Sequence, residues 1–360
     1  MNKHDKKEFY KALQESALSY ISHDGEVQRV ITTEFDLAGD VWRMEKLTNK
    51  LIVTSAALFS VTVSKSNLIS FHALPLGKSL LQVLKKGFTA LRNHYPMHAF
   101  NPYVEEFIRQ ATASNAIEIA VAITALRGDE ITTCVKELND FVDSIRQAGN
   151  GPEFKKKIAD FSRLANKNYR STNELINAHF KLCSRILVMR FDVGYKKDAG
   201  WPGPTKDPVT YAETKKHREE LLKYLKKMPA NDAFIASVCK MEYGLDKKWH
   251  YHCLLLVDSA RLRGDVTIAR LIGEYWSTTI TQGRGLYWNC NANKESYKCC
   301  GIGEVRHDDV EMREGLRKAV LYMTKPDYYV KLLVSGDDRT FWKTNMPKPK
   351  TDKRGRPRNP

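Results

Sequence analysis

Lys240-Met-Glu-Tyr-Gly244 followed by Trp249-His-Tyr-His-Cys-Leu-Leu-Leu-Val-Asp258 is the stretch on which the reading of this chain turns. The residues from Phe234 to Tyr243 predict a strand, Gly244-Leu-Asp-Lys-Lys248 a turn, and Trp249 to Asp258 the return strand of a hairpin. Residues two apart on a strand share a face, so His250 and His252 project together while Tyr251 points the other way. Glu242 sits near the end of the preceding strand, where an antiparallel register can set it opposite the start of the return strand. One carboxylate oxygen and two imidazole nitrogens suit Mg²⁺ or Mn²⁺ with open positions for water and phosphate. A His-x-His pair alone describes two surface or core histidines just as well, and Glu242 alone describes a solvated sheet residue. The three together carry the metal reading.

Outward from the hairpin, Arg185 to Val193 is a β-branched, apolar run that predicts a buried strand. A Pro- and Gly-rich loop follows (Trp201-Pro-Gly-Pro204), then helical periodicity from Tyr211 to Met228. Downstream the pattern predicts a helix from Asp265 to Thr279 and a strand from Leu286 to Cys290. A helix from Asp308 to about Lys325 opens on acidic residues, which suit its positive end, and Tyr329 to Val334 predicts a last strand. This order predicts an α+β fold, an antiparallel-rich sheet with helices packed mainly on one face. Residues 1–180 predict a mostly helical domain, with apolar spacing of three and four over Tyr103–Ile123, Ile131–Ile145 and Phe154–Ala165, broken at Gly149-Asn-Gly-Pro152. Residues 181–342 form the second domain. The tail from Lys343 to Pro360 holds seven basic residues, one acidic residue and four prolines, and its composition predicts disorder. Within it Arg354-Gly-Arg-Pro357 matches the short core of an AT-hook, so Arg354, Arg356 and Arg358 are DNA-binding candidates, if only by general attraction to phosphate.

Fifty-eight Lys and Arg against 42 Asp and Glu leave the chain at +16, which favours a polyanionic partner through counterion release. The seven cysteines show no C-x-x-C spacing, which argues against a zinc ribbon and a disulfide framework and for reduced cysteines in a cytosolic protein. The start of the chain has no signal-peptide pattern. The most apolar run, Leu51 to Val63, is interrupted by Thr and Ser and falls short of the roughly 20 residues that a membrane span needs. The expected location is bacterial cytoplasm or nucleoid.

A further motif, Tyr322-Met-Thr-Lys325, places a phenol and an ammonium three apart on one helix face. A cation beside a tyrosine favours the phenolate, which makes a nucleophile; a core-capping tyrosine with a lysine at the helix end is the plainer use. In order and separation (carboxylate strand, His-x-His strand, Tyr-Lys helix), residues 183–345 resemble the HUH-type replication initiators. They are most similar to the inovirus gene-II-product-like family, which includes the YagK/YfjJ C-terminal domain of prophages. The resemblance rests on Val188-Met-Arg-Phe-Asp-Val-Gly-Tyr195, Lys240-Met-Glu-Tyr-Gly244, Trp249 to Asp258, Gly301-Ile-Gly303, Tyr322-Met-Thr-Lys325 and Arg339-Thr-Phe341. Trp342 stands where a glycine is common in such proteins.

The resemblance implies a metal-dependent endonuclease that nicks one DNA strand, with Tyr322 as nucleophile and Lys325 as its electrostatic partner. It implies a metal held by His250, His252 and Glu242, with Asp192 in a structural role. Tyr328 and Tyr329 are further hydroxyls near the motif, and Trp201, Trp276, Tyr287 and Trp288 are candidates for stacking on a single strand. The implied substrate is single-stranded DNA or supercoiled origin DNA of a phage, prophage or mobile element. A host helicase and polymerase would be the partners, because the chain has no G-x-x-x-x-G-K-[ST] motif. A relaxase or transposase would share this chemistry, and a DNA-binding regulator could keep the fold without nicking.

Overall fold

The structure is a computed structural model that describes residues 19–23, 26–30, 33–196, 209–227, 232–244, 247–297, 299–324, 326–334 and 338–348. Trp201, Lys325, Arg354, Arg356 and Arg358 lie outside the described residues. The chain divides into two compact units. The first comprises Met1–Asn166 with Lys325–Leu333, the second Lys167–Thr324 with Val334–Pro360.

In the first unit, β1 (Ser19–His23) and β2 (Glu26–Val30) pair, followed by α1 (Thr33–Val53). The strands β3 (Phe59–Val63) and β4 (Ile69–Ala73) form a second hairpin, followed by α2 (Pro75–Lys86) and α3 (Thr89–His94). After β5 (His98–Phe100) come α4 (Pro102–Thr112), α5 (Ala116–Ala122) and α6 (Asp129–Asn150). The apolar stretch from Tyr103 to Ile123 is thus two helices, broken around Ala113–Asn115. Asn101 caps α4, its side chain accepting from the Tyr103 N–H, and Pro102 sits in the first turn, where its missing donor has no partner to lose. The Gly149–Pro152 breaker ends α6 at Asn150, and Pro152 opens the 31-residue α7 (Pro152–Leu182), inside which the unit boundary falls.

The second unit is built on a six-stranded sheet whose described pairs are all antiparallel. Its strands are β6 (Arg185–Tyr195), β7 (Phe234–Gly244), β8 (Lys248–Asp258), β9 (Gly285–Asn289), β10 (Gly303–Arg306) and β12 (Phe341–Lys343). The order is β10-β6-β8-β7-β12, and β9 pairs with β6 beyond the segment that β10 takes. The α+β, antiparallel reading of the sequence holds. Besides the part of α7 from Lys167 onward, the unit holds the α-helices α8 (Tyr211–Lys227), α9 (Asp265–Tyr275) and α10 (Val310–Thr324). The helix expected to reach Thr279 gives way at Trp276 to a π turn (Trp276–Ile280), where the Trp276 indole donates to the Gly194 carbonyl at 2.8 Å.

Two expectations need correction. Val330–Leu332 does form a strand, β11, but it pairs with β5 in the first unit and is no part of the six-stranded sheet. Helices also cover both faces of that sheet. On the even-numbered face Leu175, Ile176 and Phe180 of α7 and Leu316, Val320 and Met323 of α10 share one core with Ile186, Val188, Ala236, Val238, Leu254 and Leu256. On the odd-numbered face the Tyr251 hydroxyl donates to the Thr214 carbonyl of α8, and the Thr214 hydroxyl donates to Tyr195. With both faces covered, the central strand β8 is buried from Trp249 to Val257 and reads as a near-continuous apolar run.

Candidate metal centre

The register of the central strands builds the site. Glu242 lies opposite His250 and Lys240 opposite His252 on the β7–β8 pair, and Asp192 lies opposite His252 on the β6–β8 pair. By parity all five side chains leave the same, even-numbered face. A lateral row thus crosses five strands: Trp288, Asp192, His252, Lys240 and Phe341.

Glu242, His250 and His252 are the group of metal-ligand type found among the described residues, with ligand atoms all within 4.8 Å of one another. The Glu242 Oε2 lies 3.6 Å from His250 Nε2 and 3.3 Å from His252 Nε2. A cation with bonds of about 2.1 Å spaces neighbouring ligands by roughly 3.0–3.5 Å, so these separations suit one ion. Each imidazole is held from behind. His250 Nδ1 lies 2.9 Å from the Lys248 carbonyl, and His252 Nδ1 lies 2.7 Å from Asp192 Oδ1. Both Nε2 atoms are thereby turned toward Glu242, the arrangement in which an outer partner sets the tautomer of a metal-binding histidine. Both ring nitrogens of His252 are buried and meet their carboxylate neighbours, Asp192 and Glu242, outside hydrogen-bond geometry, and a cation between Nε2 and Glu242 Oε2 would satisfy that side of the ring.

The electrostatics point the same way. Burial penalises every charge here, yet the neighbouring charges prevail. Beside His252, Asp192 falls to about 2 and Glu242 lies well below the usual carboxylate range. Burial alone would strip the proton from His252, but Asp192 and Glu242 hold it and raise the imidazole to about 9. Two ionised carboxylates around buried imidazoles make a pocket that retains positive charge, as a proton or as a metal.

Close packing maintains this geometry. A Cβ on Gly194 would stand 3.3 Å from the His250 Cβ, so glycine leaves the imidazole its place. Lys240 is 1% exposed, and its ammonium donates to the Thr340 hydroxyl at 3.3 Å. Neither Asp192 as an orienting group nor the positions of Gly194 and Lys240 could be assigned from the sequence, because each depends on cross-strand register.

Tyr322 is half-buried on α10, the helix whose Leu316, Val320 and Met323 pack on the histidine face of the sheet. Tyr328 and Tyr329 are 5% and 0% exposed and belong to the first unit. Of the stacking candidates, Trp276 is fully buried and Tyr287 leaves the opposite face. Trp288 lies on the metal face beside Asp192 and packs partly against the core. No known protein family, curated protein or solved structure matches the chain.

Proposed function

We propose that the second unit is a metal-dependent HUH-type nickase that joins itself to the 5′ end of a cut DNA strand through Tyr322, and that the protein initiates rolling-circle replication of a phage, prophage or related element. The observation that carries this reading is the convergence of His250 Nε2, His252 Nε2 and Glu242 Oε2 on the sheet face against which α10 packs. Bound Mg²⁺ or Mn²⁺ would supply Lewis acidity to a phosphate oxygen and a fixed positive point for positioning it.

The residues of the chain do the rest. His250, His252 and Glu242 fix where the scissile phosphate sits, and Asp192 holds the His252 ring in the ligating tautomer. The Tyr322 hydroxyl forms the new oxygen–phosphorus bond as the bond from phosphorus to the 3′ oxygen breaks. The phenolic proton is given up and the leaving 3′ oxygen gains one, so a free 3′-OH and a 5′-phosphotyrosine result. One phosphodiester replaces another, so the step is close to balanced, and a later 3′-OH can reseal the strand. Lys325, assigned by resemblance, would favour the phenolate. The 3′-OH would serve a host polymerase, with a host helicase opening the duplex.

The test incubates the full chain with single-stranded oligonucleotides tiled across its own genetic element, with Mn²⁺ or with EDTA, and looks for a covalent protein–DNA band. A band with Mn²⁺ that is lost in EDTA and in Tyr322→Phe is expected. A band of wild-type intensity in Tyr322→Phe would assign the nucleophile elsewhere. The His250→Ala/His252→Ala variant should leave only a trace of adduct that no longer responds to Mn²⁺.

A further inference from the structure

The 59 residues from Lys46 to Val104 contain no Asp or Glu, although the whole chain has 42 of them in 360. The same segment holds Lys46, Lys50, Lys65, Lys78, Lys85, Lys86 and Arg92. Absence of acid over such a length leaves every formal charge within the segment positive, a pattern that suits a polyanionic partner.

The fold concentrates this segment into a ribbon and a helix. The β3–β4 hairpin is two-stranded, and residues 62–68 around its tip are all exposed. An isolated hairpin is marginal in water, and this one is anchored at its base. There Asn139 Oδ1 accepts from the Leu58 and Phe59 N–H groups, its Nδ2 donates to the Phe59 carbonyl, and Phe59 stacks on Phe71. Only Leu74 separates β4 from α2. A Cβ on Gly77 would come within 2.9 Å of the Leu58 carbonyl oxygen, so glycine allows the first turn of α2 to seat on the ribbon base. Ribbon and helix are thereby fixed relative to each other.

The exposed side of α2 presents Lys78, Ser79, Gln82 and Lys85, and the ribbon presents Ser60, Thr62, Lys65, Asn67 and His72. Lys86 pairs with Asp40 and Arg92 with Glu105. Lys65, Lys78 and Lys85 are exposed and enter no ion pair among the described residues. At the ribbon tip Val63 and Leu68 are 61% and 65% exposed.

We infer that this face is a second, metal-independent nucleic-acid site that binds duplex DNA. Lys65, Lys78 and Lys85 contact phosphates, and the ribbon enters a groove. The major groove admits a two-stranded ribbon, where hydroxyl and amide side chains meet base edges and apolar tips meet thymine methyls. The site belongs to the first unit and does not depend on the nickase reading.

The test uses the full-length chain carrying Tyr322→Phe, in EDTA, so that neither metal nor covalent chemistry contributes. Fluorescence anisotropy follows a labelled 30-base-pair duplex across a salt series. Lys65→Gln/Lys78→Gln/Lys85→Gln should weaken binding at least tenfold at 0.1 M salt and flatten the log–log salt slope by about 2.7, three contacts at about 0.9 each. The control Lys136→Gln/Lys155→Gln/Lys156→Gln removes the same charge from exposed lysines of the same unit and should leave affinity within twofold. Unchanged affinity in the first variant would overturn the inference, as would an equal loss in the control, which would reduce the effect to net charge.

Discussion

Asp192 shows how much of a site resides outside its ligands. Its carboxylate touches His252 Nδ1 at 2.7 Å and faces away from the Nε2 atoms that converge on Glu242. Asp192→Asn keeps the shape but removes the charge that favours the ligating tautomer. Affinity for Mn²⁺, measured by calorimetric titration, should fall about 10- to 100-fold, in line with other outer partners of metal-binding histidines. An unchanged affinity would mean that backbone and packing alone orient the ring. The sequence made His250, His252 and Glu242 legible because strand parity and a short turn bring them together with little freedom. It left Asp192 as a generic strand residue, since its partner lies 60 positions away and a one-residue slip of register would face it to the other side.

Among the elements, α10 depends on the closest backbone approach. Gly301 and Gly315 cross where no side chain fits: a Cβ on Gly315 would fall 1.9 Å from the Cys300 carbonyl oxygen, and one on Gly301 would fall 1.8 Å from the Leu316 nitrogen. These glycines set the depth at which the helix that carries Tyr322 lies on the histidine face. Gly315→Ala forces backbone against backbone, with no flexible side chain to yield. Overpacking of that kind costs about 3 kcal/mol, and urea unfolding should show the loss as a lower midpoint with the slope unchanged. A stability within about 0.5 kcal/mol of wild type would show that the crossing relaxes. Gly301-Ile-Gly303 stood out in the sequence only as part of a resemblance. Its physical reason is contact with a helix, which no local pattern reveals.

At the scale of the molecule the chain is two compact units, and the candidate metal centre found among the described residues lies in the second. Metal that binds the folded centre and not the unfolded chain should therefore stabilise that unit by mass action, about 2.7 kcal/mol at a hundredfold excess over its dissociation constant. Scanning calorimetry with and without Mn²⁺ should show a rise in the transition that His250→Ala/His252→Ala abolishes. A rise that persists in this variant would place the metal elsewhere. None of the described helices is long and apolar enough to cross a membrane. Local order was written in the sequence by itself: the hairpin of β7 and β8, the helices after it, the Gly149–Pro152 break and the facing pair of histidines all follow from period, turn residues and parity. The tertiary structure alone decided that Val330–Leu332 leaves the sheet to pair with β5, that helices cover both sheet faces, and that Asp192 completes the site. Periodicity acts over a few residues, whereas strand partners and register are selected by burial of the whole core, to which distant segments contribute together.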